Sequence, residues 1–277
     1  MRTESQQAAS EAGRQFGSGA IGTSMSLVLP MVSAIVVGLI WFGVVALFDI
    51  PKYILPSPET VVASMFENRS ALFNEAQATG LIAITGLALS VAFGVPLGFV
   101  IARYKPLRRV LMPPIVAIQS IPKVALAPLF VAWLGFGAAP KLIITTLVTF
   151  FPLTLATIVG VESITVTTSQ LARSIGCRSF GLVRYIWFPS AAPYIAAAFR
   201  TAATLAVVGT LVAEFVGSAE GLGNLLLIAS GNRDTTLAFA AILVVAALGM
   251  VFYGGASLIA RGATARLGSE YMRSKTT

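Results

Sequence analysis

The amino-acid sequence predicts an all-α membrane protein with six transmembrane helices. Of its 277 residues, 56% are hydrophobic and only 11% are charged, whereas soluble domains carry about 25% charged residues. The apolar residues form six stretches, each near the length of about 20 residues that a helix needs to cross a bilayer. Most of the lysines and arginines lie in the connections between these stretches, where they indicate which side of the membrane a connection occupies.

The six spans are predicted over residues 27–48, 78–102, 110–134, 142–161, 191–216 and 237–260. Together they make one transmembrane domain, residues 27–260. We expect residues 1–26 to be a disordered cytoplasmic tail and residues 261–277 to be a basic cytoplasmic tail, because both segments are polar.

The third span is the least regular of the six. It contains Pro113, Pro114, Pro122 and Pro128, which should kink or interrupt it because proline cannot donate a backbone hydrogen bond. Irregular backbone at membrane depth is tolerated only where protein or a water-lined cavity satisfies the freed groups.

The distribution of lysine and arginine predicts the orientation. The connections on one side carry Arg2, Arg14, Arg103, Lys105, Arg108, Arg109, Arg173, Arg178, Arg184, Arg261, Arg266, Arg273 and Lys275. Those on the other side carry only Lys52, Arg69, Lys141 and Arg233. The positive-inside rule therefore places both termini in the cytoplasm.

Two external connections contain short helical segments. The first begins a helix at SPET, where Ser57 fits the N-cap, Pro58 the first helical position and Glu59 the positive end of the helix dipole. Its apolar face would comprise Val61, Val62, Met65 and Phe66. Whether this helix only rests at the interface or docks a partner stays open. The second connection, residues 217–236, contains GLGNLLLIAS, which is too short to cross and predicts a re-entrant or interfacial turn.

The long cytoplasmic connection, residues 162–189, predicts a pair of short helices. Thr167 and Gln170 have the spacing of a capping box, and Gly176 would end or bend the first helix. A second helix over residues 180–187 would then present Leu182, Val183 and Ile186 until Pro189 ends it and begins the next span. Such a protrusion can seat in a partner's groove and push two spans at once, or it can rest on the lipid headgroups.

The run QLARSIGCRSFGLVRYIWFP in this connection resembles the EAA motif of ATP-binding cassette importer permeases. The matching positions are Ala172, Gly176, Ile186 and Pro189. The sequence departs from the motif at its acidic residue, its first alanine and its leucine, which are replaced by Gln170, Leu171 and Phe188. The stretches YILPSPETV, SIPKVALAPLFVAWLGFG and PSAAPYIAAAFRTA are similar to the nitrate, sulfonate, taurine and bicarbonate permease group.

The resemblance implies a type I importer permease of MetI-like architecture in the bacterial inner membrane. The connection would then contain the coupling helix that docks into a cleft of the ATPase. The coupling residues implied here are Gln170, Leu171, Ala172, Arg173, Ser174, Gly176, Ile186 and Pro189. The implied partners are a second copy of the permease or a paralogue, two ATP-binding cassette ATPase subunits, an extracytoplasmic substrate-binding protein and membrane lipid.

The sequence predicts no chemistry and no cofactor in the chain itself. None of its five lysines follows a glycine, as the lysine of a phosphate-binding P-loop must, so ATP and magnesium would bind on the partner ATPase. The absence of histidine and the single cysteine, Cys177, exclude classical triads and cysteine or histidine metal sites. A basic groove interleaved with stacking aromatic residues is also missing, which argues against a nucleic-acid partner.

Three ionisable residues within the spans, Lys123, Arg200 and Glu214, are candidates for lining the translocation pathway. Their alternative is an internal charge pair, or an arginine that reaches the headgroups. Lys123 is the best candidate because it follows Pro122 in the irregular span. Two cations against one carboxylate favour an anionic or zwitterionic solute, and the sequence does not say which.

Small residues at helical spacing have a simpler interpretation. Gly94 and Gly98 predict close helix packing in the second span. Ala202, Ala206 and Thr210 belong to a stripe on the fifth span that ends at Glu214, and intramolecular packing competes there with a subunit interface.

Two other classes of function remain for the chain as a whole. A secondary transporter or channel driven by an ion gradient would carry matched broken helices in its two halves, and the sequence offers no convincing match. An intramembrane enzyme would need paired carboxylates or a nucleophile with a base, whereas Glu214 is the only acid within a predicted span. The importer permease is therefore the preferred interpretation.

Overall fold

A computed structural model describes residues 25–164 and 179–273, and within these ranges every regular element is helical. The chain divides into two compact units, Met1–Val61 and Val62–Thr277. An all-α fold is therefore confirmed for the described part of the chain.

The first unit contains helix α1, Met25–Leu47, and the connection that follows it. The helix coincides with the first predicted span. Its segment Ile35–Leu47 is apolar but shorter than a span, and side chains such as Val37 and Leu39 are exposed. The connection turns at Asp49, which has a positive φ of 45°.

Helix α2, Pro58–Glu67, begins where the SPET pattern predicts. The carbonyl of Ser57 accepts a hydrogen bond from the N–H of Val61 at 3.1 Å. The Ser57 hydroxyl lies 3.2 Å from the Thr60 hydroxyl. The predicted apolar face is only partly buried, since Val61 is fully buried whereas the side chains of Val62 and Phe66 are exposed.

Helix α3, Arg69–Arg103, begins nine residues before the predicted second span. Its 35 residues make a rod of about 52 Å, longer than a hydrocarbon core of about 30 Å. The early start has a simple cause, because residues 69–77 contain helix-forming alanine, leucine, glutamate and glutamine and no proline or glycine. The second half of the predicted external loop is therefore an extension of the span.

The third predicted span is broken, as its prolines indicate. Helix α4, Lys105–Ser120, is followed by a 3-10 turn, Lys123–Leu126, and helix α5, Ala127–Leu134. The two halves are bent by 83°. The break lies at Ile121, which is extended (φ −74°, ψ 126°) because it precedes Pro122.

Two prolines predicted to interrupt the span do not do so. Pro113 and Pro114 lie inside α4, which continues past them to Ser120. Pro128 sits in the first turn of α5, where its missing N–H costs no hydrogen bond.

Helix α6, Ala138–Glu162, packs with α3 and with α8, Phe188–Gly217. The packing depends on small residues. A Cβ added at Gly98 of α3 would lie 2.6 Å from Thr157 Cβ, so the prediction that Gly94 and Gly98 serve close packing is confirmed. Ala202 and Ala206 of α8 are fully buried within the chain, so this part of the stripe is an intramolecular contact.

The described end of the cytoplasmic connection is helical and runs directly into α8. It consists of α7, Ser179–Leu182, and a π-turn, Val183–Trp187. The prediction that Pro189 ends a separate helix is wrong, because the N–H of Phe188 reaches back five residues to the carbonyl of Val183 and the wider turn carries the chain past the proline. The predicted helix start at Thr167 and the coupling residues Gln170, Leu171, Ala172, Arg173, Ser174 and Gly176 lie outside the described residues.

Helix α9, Leu222–Gly231, occupies the second external connection and packs against α3, α8 and α10. It buries Leu222, Leu226 and Ala229, which confirms a short segment that does not cross. Helix α10, Thr235–Arg273, continues beyond the predicted end of the sixth span at residue 260.

Four helical segments of the described chain are long and apolar enough to cross a membrane: Arg69–Arg103, Ala138–Glu162, Val183–Gly217 and Thr235–Ala263. They correspond to the second, fourth, fifth and sixth predicted spans. The bent pair Lys105–Ser120 and Lys123–Leu134 adds a fifth if it counts as one span. The first span, and with it the total of six, stays a prediction.

Candidate functional site

Glu214, near the end of α8, is the most enclosed acid in the described chain, with 1% of its surface exposed. Its carboxylate accepts hydrogen bonds from the Thr79 hydroxyl, at 2.9 Å to Oε1 and 3.0 Å to Oε2. The N–H of Gly223 donates to Oε2 at 2.8 Å. A buried carboxylate needs such donors because losing its hydration is costly.

The same network takes up the free backbone donors at the start of α9. The N–H of Leu222 donates to the Thr79 hydroxyl at 2.9 Å, and the N–H of Gly221 donates to the Glu75 carboxylate. The first N–H groups of a helix have no partner inside it and carry the positive end of its dipole. Glu75, Thr79 and Glu214 therefore bind the N-terminus of α9 from α3 and α8; we call this set, with Gly221 and Gly223, the α9 clasp.

The two glycines of the α9 clasp are sterically required. Gly221 has a φ of +105°, and a Cβ there would overlap the Glu214 carboxylate. A Cβ at Gly223 would lie 2.6 Å from the Leu211 carbonyl oxygen and 2.7 Å from Glu214 Cβ. The GLG sequence thus lets the backbone of α9 approach α8 closely enough for hydrogen bonding.

Lys141, at the start of α6, fastens the chain just before α9. Its side chain is 2% exposed, although the sequence pattern treats it as an ordinary charge of an external connection. Its Nζ donates to Ser218 Oγ at 3.0 Å and to Glu220 Oε1 at 3.5 Å. The connection from α8 to α9 is therefore tied to α6 as well.

The three predicted pathway residues are not brought together. Lys123 is half-buried, with its Nζ 3.4 Å from the Gln119 carbonyl oxygen and 5.5 Å from the centre of the Phe151 ring. Arg200 is half-buried and donates from Nε to the Ala196 carbonyl at 3.3 Å. Neither cation forms an ion pair with Glu214 within the part of the chain that the structure describes.

Buried hydroxyl groups link the three central helices below the α9 clasp. Ser90 of α3 lies 2.6 Å from the Thr149 hydroxyl of α6 and donates to the Thr146 carbonyl at 2.9 Å. Thr145 of α6 lies 2.9 Å from the Thr210 hydroxyl of α8. These contacts cross between helices, where hydrogen bonds support packing in a membrane.

The opposite end of the bundle holds both ends of the long connection 162–189. One buried cluster joins these two ends. It contains Val161 of α6 and, where the chain returns to the bundle, Leu182, Trp187 and Ala191; Ile164 also packs against it. Arg108, in the first turn of α4, pairs with Glu162 at 2.7 Å. The segment 165–178 is therefore bounded on both sides by residues that pack into the bundle.

One prediction about the apolar side chains of this region is wrong. The sequence pattern predicts that Leu182, Val183 and Ile186 are presented by a protruding helix. Leu182 is buried, and Val183 and Ile186 pack against the same cluster. Their partner is the bundle itself because the π-turn continues into α8 and turns them toward α6.

Sequence reasoning missed Glu75, Thr79, Lys141 and Ser218. The first two lie in the segment that the pattern assigned to a loop or a span boundary, where isolated polar residues carry no periodic signal. A usable signal was the distance from Glu214 to the GLG motif, since a carboxylate shortly before a glycine-flanked helix start can bind its free N–H groups.

A comparison with protein families identifies the chain. Residues 94–264 match the model of the family described as binding-protein-dependent transport system inner membrane component. The chain belongs to this family. Its members are permease subunits of ATP-binding cassette importers, which confirms the family that the sequence resembles.

Individual permeases are similar to this chain in sequence over most of their length. A probable ABC transporter permease protein of Haemophilus influenzae is 33% identical over 82% of this chain and 93% of its own. The riboflavin transport system permease protein RibX of Chloroflexus aurantiacus is 34% identical over 90% of this chain and 91% of its own. The taurine transport system permease protein TauC of Escherichia coli is 25% identical over 81% of this chain and 84% of its own.

A solved structure supports the fold. A chain of the MetNI methionine ABC transporter in an inward-facing conformation superposes with a TM-score of 0.63, at 17% identity, over 70% of this permease and 96% of that chain. The MetI-like expectation is thus supported at the level of the fold.

Proposed function

We propose that this permease forms the translocation pathway for a small anionic or zwitterionic solute and is driven by a separate ATPase. Family membership carries the proposal of import. The class of solute rests on the two cations of the spans, Lys123 and Arg200. The named solutes of the relatives differ, riboflavin for one and taurine for another, so the external binding protein would do most of the selecting.

The ATPase would couple through the connection 162–189, with Gln170, Leu171, Ala172, Arg173, Ser174 and Gly176 at the contact. The packing of its two ends supports this assignment. Ile164 and Leu182 belong to one cluster with Trp187, so a force on the connection reaches α6 and α8 together. In this arrangement Ile186 and Pro189, which are half-buried, would position the returning chain beside the contact.

The working assembly would contain two permease copies, two ATPase subunits and an extracytoplasmic binding protein, with both permease termini in the cytoplasm. The orientation is supported by the pairing of connections. Arg108 meets Glu162 at one end of the bundle, and Lys141 meets Glu220 at the other, which agrees with the grouping that the positive-inside rule gives. ATP and magnesium would bind only to the ATPase subunits.

The pathway would pass the break between α4 and α5. Lys123 lies on the 3-10 turn of that break, where backbone irregularity is tolerated if it lines a cavity or is covered by protein. Glu214 is 1% exposed and its carboxylate is bonded by Thr79 and Gly223, so we assign it to holding α9 and not to contact with solute.

Replacing Gly176 by leucine tests the coupling. We expect Gly176→Leu to reach the membrane in normal amount but to lose co-purification with the ATPase and ATP-dependent uptake, because the sequence predicts that glycine at this position ends or bends the first helix of the connection. Gly254→Leu is the matched control, since nothing lies within 4 Å of a Cβ at Gly254. Normal co-purification and uptake of Gly176→Leu would refute the coupling assignment.

Replacing Lys123 tests the pathway. Uptake of radiolabelled taurine by the reconstituted assembly, with its binding protein, should fall in Lys123→Ala and be largely retained in Lys123→Arg. The exposed Lys52→Ala serves as the control. ATP hydrolysis should be little changed in all three. Equal uptake by Lys123→Ala and wild type would exclude Lys123 from the pathway. Uptake of riboflavin in place of taurine by the wild type would contradict the proposed class of solute, because riboflavin carries no charge at neutral pH.

A further inference from the structure

Helix α9 has no N-terminal cap of its own. Its N-cap residue, Gly221, has no side chain with which to accept the free N–H groups. The donors of Gly221, Leu222 and Gly223 are satisfied instead by Glu75, Thr79 and Glu214, which belong to α3 and α8. Side chains of two other helices thus complete the first turn of α9.

Separation of α9 from the bundle would therefore break several bonds at once. Three backbone N–H groups would lose their acceptors together, and the buried Glu214 carboxylate would lose the donor that α9 supplies, the N–H of Gly223. Unpaired buried polar groups are costly. The tie of Lys141 to Ser218 and Glu220 would also strain, because these residues precede α9 by only a few positions.

Two glycines allow the backbone of α9 to pack directly against α8. Neither Gly221 nor Gly223 can carry a Cβ without overlapping Glu214 or the Leu211 carbonyl. The inward face of α9 is also apolar and buried at Leu222, Leu226 and Ala229. A flap that opens in each cycle would need the opposite features, namely a self-contained cap and a weakly packed face.

We propose that Glu214 is a positioning residue of the transport cycle, which fastens α9 to α3 and α8 so that α9 moves with them as one body and does not open as a flap. The α9 clasp lies at the outer end of α8, whereas the ATPase connection leads into its inner end. Motion imposed at the inner end would thus be carried along α8 to α9. This inference rests on the proposed coupling of the permease to a separate ATPase.

A reversible disulfide between α3 and α9 tests whether α9 moves together with α3 and α8 or opens as a flap. In a Cys177→Ser background, the double variant Thr79→Cys/Leu222→Cys introduces a thiol at each of the two residues that are now joined by the hydrogen bond from the Leu222 N–H to Thr79 Oγ1, at 2.9 Å. The assembly of permease, ATPase and binding protein is reconstituted in nanodiscs. ATP hydrolysis with and without the binding protein is then measured for the oxidised and the reduced forms.

We expect the oxidised form to keep the stimulation by the binding protein seen in the wild type, because the disulfide holds α9 on α3 although the hydrogen bonds of the Thr79 hydroxyl are lost. The reduced form and Glu214→Ala should lose it by about fivefold or more, the lower end of coupling between distant sites. Loss of stimulation on oxidation, regained on reduction, would show that α9 must open and would overturn the proposal.

Conservative variants separate positioning from general damage. Thr79→Ser keeps the hydroxyl and should retain stimulation, whereas Thr79→Val should lose it at equal membrane abundance. Thr85→Val is the matched control, since the exposed Thr85 hydroxyl bonds only its own helix, to the Leu81 carbonyl at 2.6 Å. Wild-type stimulation in Glu214→Ala and Thr79→Val would refute the positioning role. A wild-type assembly without stimulation would instead refute the proposed function.

Discussion

Substitution of Gly160 by alanine tests the contact between α6 and α8 beside the connection 162–189. A Cβ at Gly160 would lie 2.7 Å from Ala191 Cα, 3.0 Å from Ala191 Cβ and 3.2 Å from its carbonyl oxygen. Two of these atoms are backbone, so no side-chain rotation can relieve the overlap. The helices would have to separate by about 0.8 Å to restore a normal carbon–carbon distance of about 3.5 Å.

The size of the effect follows from two opposing contributions. Overpacking a close contact costs about 1–3 kcal/mol, and replacing a helical glycine by alanine gains about 0.8–1 kcal/mol. Gly209→Ala provides the matched control, because Gly209 is also buried in a helix but its nearest neighbours, Val148 Cβ and Thr145 Cα, would lie 3.4 and 3.5 Å from the new Cβ. Since both variants gain the same helix propensity, their difference isolates the steric cost.

The free energies of unfolding of both variants can be measured by titration with SDS in mixed micelles, after confirming a two-state transition. We expect Gly160→Ala to be less stable than Gly209→Ala by about 1–3 kcal/mol. Equal stabilities would refute the argument that α6 and α8 meet through backbone at Gly160.

Two further predictions concern the polar contacts of the bundle. A double-mutant cycle of Ser90→Ala and Thr149→Val should give a coupling free energy of about 0.6 kcal/mol, the average for hydrogen bonds between membrane helices; a value of zero would mean that the 2.6 Å contact contributes nothing. Ser218→Ala should lower the free energy of unfolding by about 1–3 kcal/mol, because the buried Lys141 ammonium loses its nearest partner. Glu220→Gln should cost less than about 1 kcal/mol, because the Glu220 side chain is 68% exposed; the reverse order in the same titration would contradict this reasoning.

Features that depend on local chain chemistry could be predicted from the sequence. The break at Pro122 follows from the restriction that proline places on the residue before it, and the start of α2 follows from Ser57, Pro58 and Glu59. The close packing at Gly98 likewise follows from glycine spacing. Each of these features is decided within a few residues.

Features that depend on distant partners could not be predicted. Lys141 has the sequence context of a loop charge, and only the approach of Ser218 makes it a buried residue. Glu214 was identified as important, but its partner Thr79 lies 135 positions away in the sequence. The passage of the helix through Pro189 depends on a π-turn, which no residue pattern specifies.

The central claim is that the inner connection of this permease meets a separate ATPase. Photo-crosslinking in intact membranes tests it directly, with Leu171 replaced by p-benzoyl-phenylalanine and Leu227, an exposed residue of α9 at the other end of the bundle, replaced in a parallel sample. We predict that illumination joins the probe at position 171 to the ATPase subunit and that the probe at position 227 never reaches it. A probe at 171 that labels only lipid or the external binding protein, or a probe at 227 that labels the ATPase, would contradict the account.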